Sequence, residues 1–146
     1  MPFVPSPLPE PKWTFHTKVV PDKRYEVLAL SLPFRSWWIM LPALSYTLRL
    51  GLLSHRLGGL VAEAYPSRMA SLETWKLTVW EDVPSLARFT NSPLHLAANR
   101  ALGPWLKGGS VARVSVAGKD LPPSRAALER WLAGGRPLAG GVEMHG

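Results

Sequence analysis

Hydrophobic and polar positions alternate along this chain in two different periods. A period of two is clearest over residues 71–81. There Trp75, Leu77 and Val79 fall on one side, and Thr74, Lys76, Thr78 and Trp80 on the other. Residues 24–32 (RYEVLALSL) are apolar on both sides and read as a strand buried on both faces. Residues 60–65 read as a short strand stopped by Pro66, and residues 109–117 (GSVARVSVA) as a fourth strand. Helical spacing fills the intervals. Ser36 predicts an N-cap for a helix over 37–53, apolar nearly all round. That helix is expected to be covered on both sides and bent or restarted at Pro42. Asp82 predicts the cap of a helix with Pro84 in its first turn, carrying Leu86 and Phe89. Ser92 caps a segment over 93–102, and Ser124 a last helix over 125–133, closed by Gly134 and Gly135.

The resulting order, β-α-β-β-α-β, predicts an α+β domain of the ferredoxin-like kind. Helices cover one face of a four-stranded antiparallel sheet, and an extra helix follows. Val27 and Ala29 make the first strand as apolar on its second side as Leu28 and Leu30 do on the first. The second face is therefore expected to meet another sheet, giving a dimeric α+β barrel and a homodimer. Pro2, Pro5, Pro7, Pro9 and Pro11 predict an extended arm within residues 1–23, ahead of a domain over 24–133. The Gly-rich segment 134–146 reads as a flexible tail.

Composition narrows the classes. The 146 residues make about one domain, and 47% apolar against 18% charged is a folding composition. The absence of cysteine excludes disulfides, thiolate zinc sites, iron–sulfur clusters and a thiol nucleophile. His16, His55, His95 and His145 are scattered, which argues against a histidine metal centre. The net charge is +7, but the basic residues are dispersed singly, so no nucleic-acid partner is expected. Pro42, Ser45, Thr47 and Arg49 interrupt the 37–53 stretch, so it is not expected to span a membrane. Contact of that helix with a membrane surface stays open as an alternative. Residues 1–11 lack the basic start and apolar core of a signal peptide, and the expected location is cytoplasmic.

The run Lys76-Leu77-Thr78-Val79-Trp80-Glu81-Asp82, followed by Leu86, Phe89, Ser92-Pro93 and His95, resembles a signature of the dimeric α+β-barrel superfamily. It is most similar to spheroidene-monooxygenase-like proteins and more distantly to antibiotic-biosynthesis monooxygenases. The matching segment covers about residues 72–100, and the element order extends the likeness to about 24–118. The resemblance implies a small-molecule site in a cavity between the sheet and its helices. Some members of the superfamily bind haem there; others oxidise aromatic substrates without a cofactor; others are isomerases or have no known activity. The bulky 37–53 helix and the proline arm depart from the family pattern. The expected function is that of a monooxygenase-like protein acting on an apolar or aromatic small molecule, with haem as cofactor or none. The alternative is a non-catalytic dimer that binds a lipophilic ligand.

His95, one helical turn before Asn99, is the first candidate residue. A neutral imidazole there could ligate haem iron or act as a base; it could equally be a packed structural side chain. Trp37, Trp38, Trp75, Trp80 and Phe89 can wall a cavity for a flat ligand, or simply fill the core. Arg49 and Arg113, set in apolar segments, could hold a carboxylate such as a haem propionate, or pack by their stems. Glu63 reads as a general base or, preferably, an arginine's partner. His55 reads as a solvent-facing loop residue. His16 could reach a pocket mouth if the arm folds back. No phosphate loop, nucleophile elbow or acidic metal cluster is present in the sequence.

Overall fold

A computed structural model describes residues 7–137. In chain order the strands are β1 (Thr14–Phe15), β2 (Arg24–Pro33), β3 (Leu60–Ala64), β4 (Ser67–Arg68), β5 (Glu73–Trp80), β6 (Ser110–Ala117) and β7 (Arg136–Pro137). The helices are α1 (Trp37–Leu57), α2 (Val83–Thr90), α3 (Pro93–Leu102) and α4 (Arg125–Ala133). All pairings are antiparallel, in the order β1-β3-β5-β2-β6-β7, with β4 on the end of β5. The four long strands therefore carry the ferredoxin-like order expected from the sequence. The short β1, β4 and β7 are additions. Most of the Gly-rich tail, residues 138–146, and the first six residues of the arm lie outside the described residues.

The side-chain caps fall where the sequence puts them. Asp82 accepts from the Ser85 amide at 2.8 Å, Ser92 from His95 at 3.2 Å and Ser124 from Ala127 at 3.1 Å. Ser36 precedes α1 without a side-chain cap bond. Helix α1 is not broken at Pro42 and runs four residues past the expected end, to Leu57. Pro42 lies in the second turn, so only one intrahelical bond, to the Trp38 carbonyl, is given up.

The two sheet faces are covered differently. Leu28, Leu30, Leu60 and Trp80 meet α1, α2 and α3 through Ala43, Leu50, Leu86, Phe89, Ala98 and Leu102. Val27, Ala29, Leu77 and Val79 face the other way. There the chain supplies its own cover: Leu8 and Trp13 from the arm, and Leu128, Trp131 and Leu132 from α4. Leu8 is 1% exposed, worth about 2 kcal/mol of transfer free energy. The second face is buried, as its apolar pattern requires, but an element of the same chain occupies the place foreseen for a second sheet.

The outer face of α1 departs from expectation. The helix was expected to be covered all round, yet Trp38, Leu41, Leu44, Leu48 and Leu52 are 53–69% exposed. Trp37 stacks on Trp38 with ring centroids 4.0 Å apart. Among the described residues no helix is long and apolar enough to cross a membrane.

Candidate functional site

The alternation of β5 builds the site. Leu77 and Val79 point to the arm and α4, whereas Lys76, Thr78 and Trp80 point to the helices. The Trp80 indole N–H donates to Thr78 Oγ1 at 3.0 Å, and its ring lies 5.0 Å from that of Phe89. Phe89 then meets His95 edge-on at 4.9 Å. Lys76 Nζ stands 4.7 Å over the Phe89 ring, in cation–π contact.

Beside this stack a cleft of about 480 Å³ opens between α1 and the sheet. Phe34, Trp37, Met40, Leu41 and Leu44 form its apolar wall, with Leu102 behind; Tyr65, Thr74, Trp75 and Lys76 come from the sheet side. Among the described lining residues Lys76 alone carries a charge. Its volume suits a small flat molecule. Lys76 is 8% exposed. Burial pushes its pKa down to about 8, only partly offset by the charge of Glu63.

Glu63 anchors a second group at the neighbouring edge. The turn at Gly58 and Gly59 (φ 79° and 85°) reverses α1 into β3. A Cβ on Gly59 would lie 2.4 Å from Ser85 Oγ, so the tight return needs glycine. A register shift between Leu60 and Ala62 then puts Val61 on the arm side with Val27 and Val79. Glu63 comes opposite Thr78, on the helix side. His55, in the last turn of α1, and His16, just after β1, both reach Glu63 Oε2: their Nε2 atoms are 3.0 and 2.5 Å away. Tyr65 Oη donates to Glu63 Oε1 at 2.6 Å. Burial alone would raise the Glu63 pKa, but the bonds from Tyr65 and His16 and the charge of the two imidazoles hold it below the usual range. Burial and Glu63 together push the Tyr65 phenol up. Tyr65 thus joins the cleft to the histidine cluster.

The residues foreseen from sequence divide. Trp37 and Trp75 line the cleft. Trp80 and Phe89 form the floor on which Lys76 rests. Trp38 is exposed beside Trp37. Arg49 lies on the outer side of α1, with its guanidinium 4.6 Å over the Tyr46 ring, and Arg113 is exposed on β6. His95 and Asn99 are buried under the helices, with Asn99 Nδ2 3.5 Å from His95 Nδ1. His95 is 1% exposed and does not border the cleft, so it offers haem no open face. The scattered histidines converge after all: His16 and His55 meet across 39 residues of sequence, their ring centroids 4.6 Å apart. Glu63 is paired with histidines and a tyrosine rather than an arginine. In the sequence Lys76 stands out only as one side of the alternation in residues 71–81 and as the first residue of the superfamily-like run, with no sign of its burial or its place in a cleft.

The fold defines a class: a ferredoxin-like α+β domain with a cleft under its first helix. No family model matches the chain, and no curated protein matches it in sequence. Solved structures do match. A candidate monooxygenase of Fusobacterium nucleatum superposes with a TM-score of 0.60 at 10% identity, over 72% of this chain and 48% of that one. This chain therefore spans about half the length of that protein. A candidate antibiotic biosynthesis monooxygenase of Nitrosomonas europaea gives 0.55 at 13% identity, over 68% and 93%. A dimeric ferredoxin-like protein of unknown function from Jannaschia gives 0.52 at 18% identity, over 63% and 97%. These are structural neighbours of the kind expected from the sequence signature, and the fold is common to all.

Proposed function

We propose that the chain is a monooxygenase-like small-molecule protein. Its cleft takes a flat apolar or aromatic molecule bearing an acidic C–H or O–H, and Lys76 meets that group. The observation that carries this reading is a buried lysine in cation–π contact with Phe89, the one charge among the described residues that line the apolar cleft. A lysine poised near pH 8 is partly neutral at physiological pH and can accept a proton. The ammonium so formed then holds the substrate anion. Dioxygen is the oxidant of the proposed reaction: a methylene becomes a carbonyl, one oxygen atom enters the product, and the other leaves as water. The fold neighbours described as candidate monooxygenases support this reading. The proposed reaction calls on no haem, and His95, which is buried, is not among the residues that line the cleft.

A homodimer belongs to the same proposal. Dimeric ferredoxin-like neighbours support it, and the apolar outer face of α1 offers a surface. The second sheet face is already covered by the arm and α4.

The test uses 1,8-dihydroxyanthrone as probe, with tryptophan quenching for binding and an oxygen electrode for turnover. Saturable binding with oxygen uptake, both weakened at least about tenfold in Lys76→Met, is the expected result. Binding without uptake would favour the alternative, a non-catalytic carrier of lipophilic ligands. Absence of saturable binding would refute both.

A further inference from the structure

The histidine cluster at the edge of the sheet is built as a ligand set. We propose that His16, His55 and Glu63 form a binding site for a divalent transition cation of the zinc or ferrous class. The site goes beyond the cleft reading and does not rest on it.

Three separate elements deliver the donors: the residue after β1, the end of α1 and the penultimate residue of β3. Their ligand atoms all lie within 4.8 Å of one another. Both Nε2 atoms aim at one carboxylate oxygen, Glu63 Oε2. The backbone behind them is fixed. Thr14 pairs with Glu63 and Phe15 with Ala62, and the His16 amide donates to the Val61 carbonyl at 2.7 Å. Tyr65 holds Oε1, leaving Oε2 as a one-toothed ligand. That is the support from behind that tunes a metal-binding carboxylate.

Two imidazoles and a carboxylate suit zinc, ferrous iron and their neighbours, whereas magnesium and calcium prefer oxygen donors. Donors about 2.0–2.2 Å from a tetrahedral metal lie roughly 3.3 Å apart. The Nε2–Oε2 distances of 2.5 and 3.0 Å therefore need to open by less than about 1 Å. The side chains of His55 and His16 are 50% and 28% exposed and have room to draw back. The same exposure leaves solvent access for a water at a fourth position. Three protein donors with one open position is the arrangement of catalytic rather than structural metal sites.

The test is a titration of the metal-stripped full chain with Co²⁺, read by its visible ligand-field band, followed by displacement with Zn²⁺. One Co²⁺ per chain is expected. His16→Ala and His55→Ala should each weaken binding at least about 100-fold, and Tyr65→Phe about tenfold. Far-UV circular dichroism checks that the variants are folded; His55 lies on the surface of the last helical turn and its removal leaves the core intact. His55→Cys should regain binding, now with a sulfur-to-cobalt charge-transfer band. No saturable band in the native chain would overturn the proposal and leave an ion pair. So would a band that survives both alanine variants, or a cysteine variant that regains nothing.

Discussion

Lys76 carries a cost that can be measured. Its ordinary pKa of 10.5 falls to about 8 in the folded chain, because the ammonium is buried. Each unit is about 1.36 kcal/mol, so the charged side chain weakens the fold by roughly 3 kcal/mol near pH 7. The sign follows from proton counting. Between pH 8 and 10 the unfolded chain still holds the Lys76 proton while the folded chain gives it up. Stability therefore rises with pH across this window, by about 2 kcal/mol. The raised groups Tyr65 and Lys23 act in the opposite sense only above their own ordinary values near 10 and 10.5. Lys76→Met keeps the stem over Phe89 and removes the charge. Urea unfolding at pH 7 should show the variant about 2–3 kcal/mol more stable than the native chain. At pH 10 the two should nearly coincide. A native chain whose stability is flat from pH 8 to 10, with a variant no more stable at pH 7, would refute the argument. The same substitution should weaken ligand binding, which would identify the destabilising charge as one retained for function.

Three further outcomes follow from the structure. Gly59→Ala forces a Cβ against Ser85 at a positive φ; thermal unfolding should show a loss of about 2–3 kcal/mol. Asp82→Ala removes the α2 cap and should cost about 1 kcal/mol at pH 7. The Asp82 pKa is lowered by its bonds to Ser85, so this contribution is present above the ordinary carboxylate pKa and fades as pH falls through the lowered one; denaturant unfolding at pH 7 and pH 3 measures it. The pair Leu48→Gln and Leu52→Gln touches the exposed face of α1 away from the cleft. It should shift unfolding by less than about 0.5 kcal/mol, while sedimentation shows weaker self-association.

Much of this fold is legible in local chemistry. The caps at Asp82, Ser92 and Ser124 act over three residues, and the alternation in β5 is a property of one strand. What escapes is anything set between elements. The shift between Leu60 and Ala62 turns Val61 away from Glu63 and Tyr65, which simple alternation from Val61 groups together. His16, His55 and Glu63 meet only because β1 pairs with β3 and a two-glycine turn brings the end of α1 alongside. The outer face of α1 misleads for another reason. Apolar residues all round a helix indicate burial, but Leu44, Leu48 and Leu52 are exposed in the single chain.

Leu8, Trp13 and α4 seal the sheet face that open ferredoxin-like domains leave bare. The seal changes how folding depends on the amount of protein. A domain that borrows its second layer from a partner unfolds in a bimolecular equilibrium, and its melting temperature falls on dilution. This chain carries both layers in one covalent strand. Unfolding of the single chain is then unimolecular, and its melting temperature should fall on dilution only by what association through α1 adds; with the outer face of α1 made polar it should hold across a hundredfold dilution.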